Sequence, residues 1–157
     1  MIFSIDQLMV EVDSWRTASK TIIFTNGCFD LLHKGHTDIL QKARSFGDVL
    51  IVGLNSDSSV HQLKGEGRPI ESEKIRAENL LKLDSVSAVI LFEDETPLQL
   101  IQAIRPDVLV KGGDYSMNDI VGGRDVSSWG GHVEIIPLTP GYSTTKKVIE
   151  LKMEGLG

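Results

Sequence analysis

Between Thr21 and Phe46 the chain runs from an apolar segment, Thr21-Ile22-Ile23-Phe24-Thr25, through Asn26-Gly27-Cys28-Phe29-Asp30, to His33-Lys34-Gly35-His36 and an apolar-periodic stretch. No other part of the chain constrains the fold as tightly. A strand that empties through a glycine turn into a helix leaves free backbone N–H groups and a positive dipole end above the strand tip. Polyphosphate suits that place. His33 and His36 stand three residues apart and share a helical face, and Gly35 between them lets a ligand approach the backbone closely.

The remaining periodicity extends this unit. Ser4-Ile5-Asp6-Gln7 has capping-box spacing ahead of Leu8, Val12 and Trp15, which predicts an N-terminal helix. The helix after His36 carries Ile39, Leu40, Ala43 and Phe46 inward and stops at Gly47. Further strands are expected at 48–54, 86–92, 108–110 and 133–137. Helices are expected from Asn55-Ser56-Asp57 to Leu63, from Ser72 to Leu83, after Thr96-Pro97, up to Trp129, and after a Ser143-Thr144-Thr145 cap. Mostly unalternated strands separated by helices predict an α/β domain, a doubly wound, five-stranded parallel sheet covered on both faces. Ligands of such sheets sit beyond the carboxyl ends of the strands, where strand order reverses. The polar clusters after the strands fall at that end.

One domain is expected over 1–157, with an N-terminal helix in 1–20 and the core in 21–152, since 157 residues and 41% hydrophobic content suit a single packed unit. A net charge of −6, from 22 acidic against 16 basic residues, argues against a nucleic-acid or anionic-membrane surface. Any anion is therefore bound locally. A single cysteine makes no internal disulfide, no apolar run approaches the roughly 20 residues of a membrane span, and no signal-like start is present. These features predict a cytoplasmic chain.

Asn26-Gly27-Cys28-Phe29-Asp30-Leu31-Leu32-His33-Lys34-Gly35-His36 resembles the signature of the cytidylyltransferase-like nucleotidyltransferase superfamily, with its Gly-x-Phe-Asp turn and His-x-Gly-His. Other segments resemble one branch, the D-glycero-D-manno-heptose 1-phosphate adenylyltransferases. These segments are Gly53 to Asp57, Leu63 to Pro69, Arg105 to Tyr115 and Gly141 to Thr145, and the likeness covers about Thr21 to Lys152. Many members carry this domain behind a sugar kinase, so the chain is similar to the stand-alone form.

The resemblance implies a Rossmann-like fold and transfer of AMP from ATP to heptose 1-phosphate, giving ADP-heptose and pyrophosphate. It implies catalytic roles for His33, His36 and Lys64, with Mg²⁺ carried on the ATP and its protein ligand unassigned, Asp30 being the nearest acidic candidate. Nucleotide contacts are expected from Thr25, Asn26, Gly27, Cys28, Phe29, Asp30, Gly35, Arg76, Lys111, Gly112, Gly113, Asp114, Tyr142, Ser143, Thr144 and Thr145. Sugar-phosphate contacts are expected from Asn55, Asp57 and Arg68. The Lys64 to Pro69 loop, with two glycines, is expected to close over the triphosphate. Expected partners are a second copy of the chain and a separate heptose kinase.

Bland readings stand beside these. His33 and His36 also fit a solvated pair or a metal half-site, Arg76 an exposed helix residue, and Asn55 and Asp57 a helix cap. Cys28 reads as a small turn residue rather than a nucleophile, and Trp15 and Trp129 as packing residues. A glycerol-3-phosphate cytidylyltransferase shares the histidine motif and a Ser-Thr-Thr-Lys segment, and Leu138 stands where those enzymes tend to carry arginine. A non-catalytic nucleotide-binding module is the other alternative, and two intact histidines count against it.

Overall fold

A computed structural model describes residues 2–113, 116 and 119–137. Leu138 and the last expected helix lie outside the described residues.

The strands are β1 (Ile2–Phe3), β2 (Ile22–Gly27), β3 (Val49–Asn55), β4 (Ala88–Phe92), β5 (Val108–Gly112) and β6 (His132–Ile136). Between them run α1 (Ile5–Thr17), α2 (Lys34–Arg44), α3 (Asp57–Lys64), α4 (Glu73–Leu81), α5 (Leu98–Ile104) and α6 (Gly123–Ser128). Six strands form one parallel sheet in the order β1-β4-β3-β2-β5-β6. Sequence reading gave five. The addition is β1, whose Ile2 and Phe3 pair with Val89 and Ile90 at the sheet edge.

Strand pleating sends alternate residues to opposite faces, so β2 feeds two cores. Ile22 and Phe24 join Leu8 and Val12 of α1 and Ile101 and Ile104 of α5 on one face. Ile23 joins Leu40 and Ala43 of α2 and Ala77 and Leu80 of α4 on the other. Every residue of β3 is buried, as a strand covered on both faces requires. The Ser4–Gln7 capping box starts α1, and Arg16 near its end donates to the carbonyls of Ile104 and Arg105. Trp15 and Trp129 pack against the first core.

From β2 the chain moves one way to β3 and β4, and later the other way from β5 to β6. This reversal is the switch point. β2 stays paired with β3 as far as Gly27 and Leu54, but its pairing with β5 ends at Phe24 and Leu109. Past that pair a side chain takes over from the ladder, as the Thr25 hydroxyl donates to the Val110 carbonyl at 2.9 Å. The crevice between the β2 and β5 tips is where a ligand of such a sheet binds.

Candidate active site

The turn after β2 is held in a conformation that ordinary residues avoid. Phe29 and Leu31 have φ of 49° and 55°, and non-glycine residues adopt such left-handed values only when the surroundings fix them. Asp30, between them, supplies the fixing. Its buried carboxylate accepts the Ile70 N–H at 2.7 Å, the Glu71 N–H at 3.0 Å and the Arg68 Nε–H at 3.2 Å. Glu71 answers by accepting the Leu31 N–H at 2.9 Å. A β-carbon on Gly27 would lie 2.9 Å from the Phe29 ring, so only glycine lets that ring fold back onto the strand tip.

Two imidazoles start α2. His33 is the N-cap, its Nδ1 accepting the Gly35 N–H at 3.1 Å, and His36 Nδ1 accepts the His33 N–H at 3.3 Å. This is a capping box built from histidines in place of the usual Ser and Glu. A neutral imidazole whose Nδ1 accepts carries its proton on Nε2. The rings stack with centroids 3.8 Å apart, and the Phe29 ring meets His36 edge-on at 5.5 Å.

A cleft of about 540 Å³ opens over this turn. Its lining includes Asn26 to Asp30, His36, Asn55, Lys64, Arg68 and Lys111, together with Phe92, Glu95 to Pro97 and Asp119 to Val121. Burial pushes the Cys28 thiol up, with Asp30 adding to the rise and Lys64, Arg76 and Arg68 opposing it. A thiol raised in this way is a poor nucleophile at neutral pH. Burial also lowers Lys111, against the pull of the Cys28 sulfur.

Not every expected site residue reaches the cleft. Thr25 is buried and bonded within the sheet. Gly35 is buried inside α2, and a β-carbon on Gly112 would meet Ile39 at 2.7 Å, so that glycine serves helix-on-sheet packing. Gly113 is buried after β5 with φ of 119° and gives its N–H to Ile136. Ser56, rather than Asn55 or Asp57, caps α3. Asp57 pairs with Arg76 at 2.9 Å, and Arg68 with Asp30. The largest change concerns Arg76: expected to meet triphosphate, it is fully buried with its guanidinium committed to protein acceptors. Asp114, Tyr142, Ser143, Thr144 and Thr145 lie outside the described residues.

The cleft residues Phe92, Glu95 to Pro97 and Asp119 to Val121 escaped the sequence reading. A signal existed, since residues 93–97 directly follow the carboxyl end of a strand. Among the described residues no group of three or more His, Cys, Asp or Glu side chains can hold a metal ion, and the Asp30 carboxylate already serves three protein donors. No helix of the described residues is long and apolar enough to cross a membrane.

Residues 24–147 match the family described as cytidylyltransferase-like. The chain belongs to this family. Among curated proteins it is 54% identical over 142 residues to the bifunctional protein HldE of Koribacter versatilis, covering 90% of this chain and 29% of that protein. It is 51% identical over 150 residues to bifunctional protein HldE of Methylobacillus flagellatus, covering 96% of this chain and 31% of the relative. The chain thus spans less than a third of the length of these relatives. Among solved structures it is similar to a lipopolysaccharide core biosynthesis protein from Thermoplasma volcanium. That match has a TM-score of 0.62 at 25% identity, over 76% of this chain and 97% of the other. A pantoate-β-alanine ligase from Francisella tularensis, at 16% identity and a TM-score of 0.65 over 99% of this chain and 78% of its own, shares the fold. The cytidylyltransferase-like fold is therefore Rossmann-like, with its switch-point cleft between β2 and β5.

Proposed function

We propose that this cytidylyltransferase-like chain transfers AMP from ATP to D-glycero-D-manno-heptose 1-phosphate, releasing pyrophosphate and forming ADP-heptose. One observation carries the reading: His36, its ring oriented by the His33 N–H at Nδ1, lines a cleft that also gathers Lys64, Arg68 and Lys111. Such a constellation serves polyphosphate. The choice of heptose rests on the motif resemblance and is supported by the lipopolysaccharide core biosynthesis neighbour and the bifunctional relatives.

In this reaction a phosphate oxygen of the sugar phosphate attacks the α-phosphorus. The new P–O bond forms as the α–β bridging bond breaks, and pyrophosphate leaves with the electron pair. A phosphate monoester has its second pKa near 6, so the nucleophile is already anionic at neutral pH and needs no general base. Alignment and charge stabilisation are what the protein adds. His36 and His33 supply donors at the helix start, and Lys64 a mobile cation. Mg²⁺ carried on the ATP would neutralise part of the phosphate charge. Cytoplasmic residence, a homodimer and a separate kinase that phosphorylates heptose at O1 belong to the same proposal.

Pyrophosphate release measured with a panel of nucleotides and sugar phosphates tests it. ATP with heptose 1-phosphate is expected to be the fastest pair. Faster release with CTP would remove the adenylyl assignment and keep the reaction class.

Lys64 ends α3 exposed on the cleft, and Gly65 and Gly67 beyond it have φ of 92° and 77° with open space around them. The far end of this loop is pinned by Asp30 through Arg68, Ile70 and Glu71. We infer a lid that hinges at its glycines and carries Lys64 onto the phosphates. Lys64→Ala is expected to lower turnover at least ten-fold with an unchanged melting temperature, and protease nicking at 64–67 should slow when ATP and a non-reacting sugar phosphate are bound. Equal nicking and unimpaired turnover would make the loop an ordinary connection.

A further inference from the structure

Arg76 is the bulkiest of the fully buried side chains among the described residues. A charge held out of water must be satisfied by fixed acceptors, and here they come from separate segments. Its Nε donates to the Glu71 carbonyl at 3.0 Å, and its Nη1 to the carbonyls of Cys28 and Asn55, each at 2.8 Å. Its Nη2 meets Asp57 Oδ1 at 2.9 Å. One guanidinium thus ties the turn after β2, the end of β3, the start of α3 and the base of the lid.

The bond to Cys28 has a directional effect. A trans peptide points its C=O and N–H in opposite directions. With the Cys28 carbonyl drawn onto buried Arg76, the Phe29 N–H faces away from it, on the side where Cys28 and Phe29 line the cleft. No acceptor among the described residues takes that N–H. The left-handed φ of 49° at Phe29 belongs to the same fixed turn.

We propose that Arg76 is a positioning residue: it locks the Cys28–Phe29 peptide so that the Phe29 N–H donates to a phosphate oxygen of the bound nucleotide. The inference rests on the nucleotide reading of the cleft. Arginine suits the task because its planar fork reaches several carbonyls at once, whereas lysine offers one point of charge on a shorter reach.

Backbone amide NMR of the intact chain tests it, with inorganic pyrophosphate and ATP as probes. In the wild type the Phe29 amide proton should move downfield on saturation with either probe. Arg76→Lys should shrink that response, lower kcat about 10²-fold, the scale of losing one aimed donor, and raise the KM for ATP less. Asp57→Ala removes the half-exposed end of the network and should give a milder change in the same direction. The wild-type spectrum stands whether or not the Arg76 variant folds. Cleft amides that respond while Phe29 does not would overturn the positioning role and leave the nucleotide reading intact. Arg76→Lys with a full Phe29 response and normal kcat would overturn it equally. No response at any cleft amide would overturn both.

Discussion

Replacing His36 by alanine lowers turnover by about 10²–10³-fold and changes ATP affinity less, the pattern of losing a donor aimed at transition-state charge. His33→Ala is expected to behave similarly. Each histidine also caps α2, so alanine carries a stability cost of about 1 kcal/mol that must be separated from catalysis. Asparagine separates them. At position 33 its side-chain oxygen accepts the Gly35 N–H as a good N-cap does, while its shorter NH₂ group does not reach the place of Nε2. His33→Asn should therefore restore the melting temperature lost in His33→Ala without restoring turnover. Near-normal turnover in the double alanine variant would reduce this helix start to a structural cap.

These two rings show which parts of the candidate site were legible. The strand, turn and helix from Thr21 to Phe46 could be read because each signal there is local: an apolar run, a glycine, a polar start and a helical period. The capping role of His33 was not, since histidine is an unusual cap and its partner is the Gly35 N–H. β1 was missed because two residues carry no period, and the strand exists through pairing with residues 89 and 90.

Arg76 shows the deeper limit. On α4 it occupies a position that a helical pattern cannot distinguish from a surface arginine. Its acceptors at Cys28, Asn55 and Glu71 meet only once the fold has brought the ends of β2 and β3 and the connection between α3 and α4 together. Resemblance marked the residue as belonging to the site, and only the packing shows its guanidinium buried and bonded to protein acceptors. Asp30 follows the same logic, as an acidic residue by a phosphate site that turned out to serve backbone N–H groups.

Asp30→Ala should be the most damaging single change to this cleft. The variant leaves the Ile70 and Glu71 N–H groups and the largely buried Arg68 guanidinium without their shared acceptor, and it releases the left-handed turn that presents Cys28 and Phe29. Removing one partner of a buried ion pair costs about 3–5 kcal/mol, which for a domain of this size lowers the melting temperature by roughly 10 °C. Turnover should fall with it, by at least 10²-fold, because the lid loses its anchor and the turn loses its aim. Asp30→Asn is a sharp control. It keeps the shape but offers one acceptor oxygen where two are used, and sets an NH₂ group against an N–H donor, so it should rescue little. Glu71→Gln, by contrast, keeps an oxygen for the Leu31 N–H and should cost less than 1 kcal/mol. Thermal melts and turnover of the three variants decide the matter. An Asp30→Ala protein that melts within 2 °C of wild type and turns over normally would mean that turn and lid hold their places without this carboxylate.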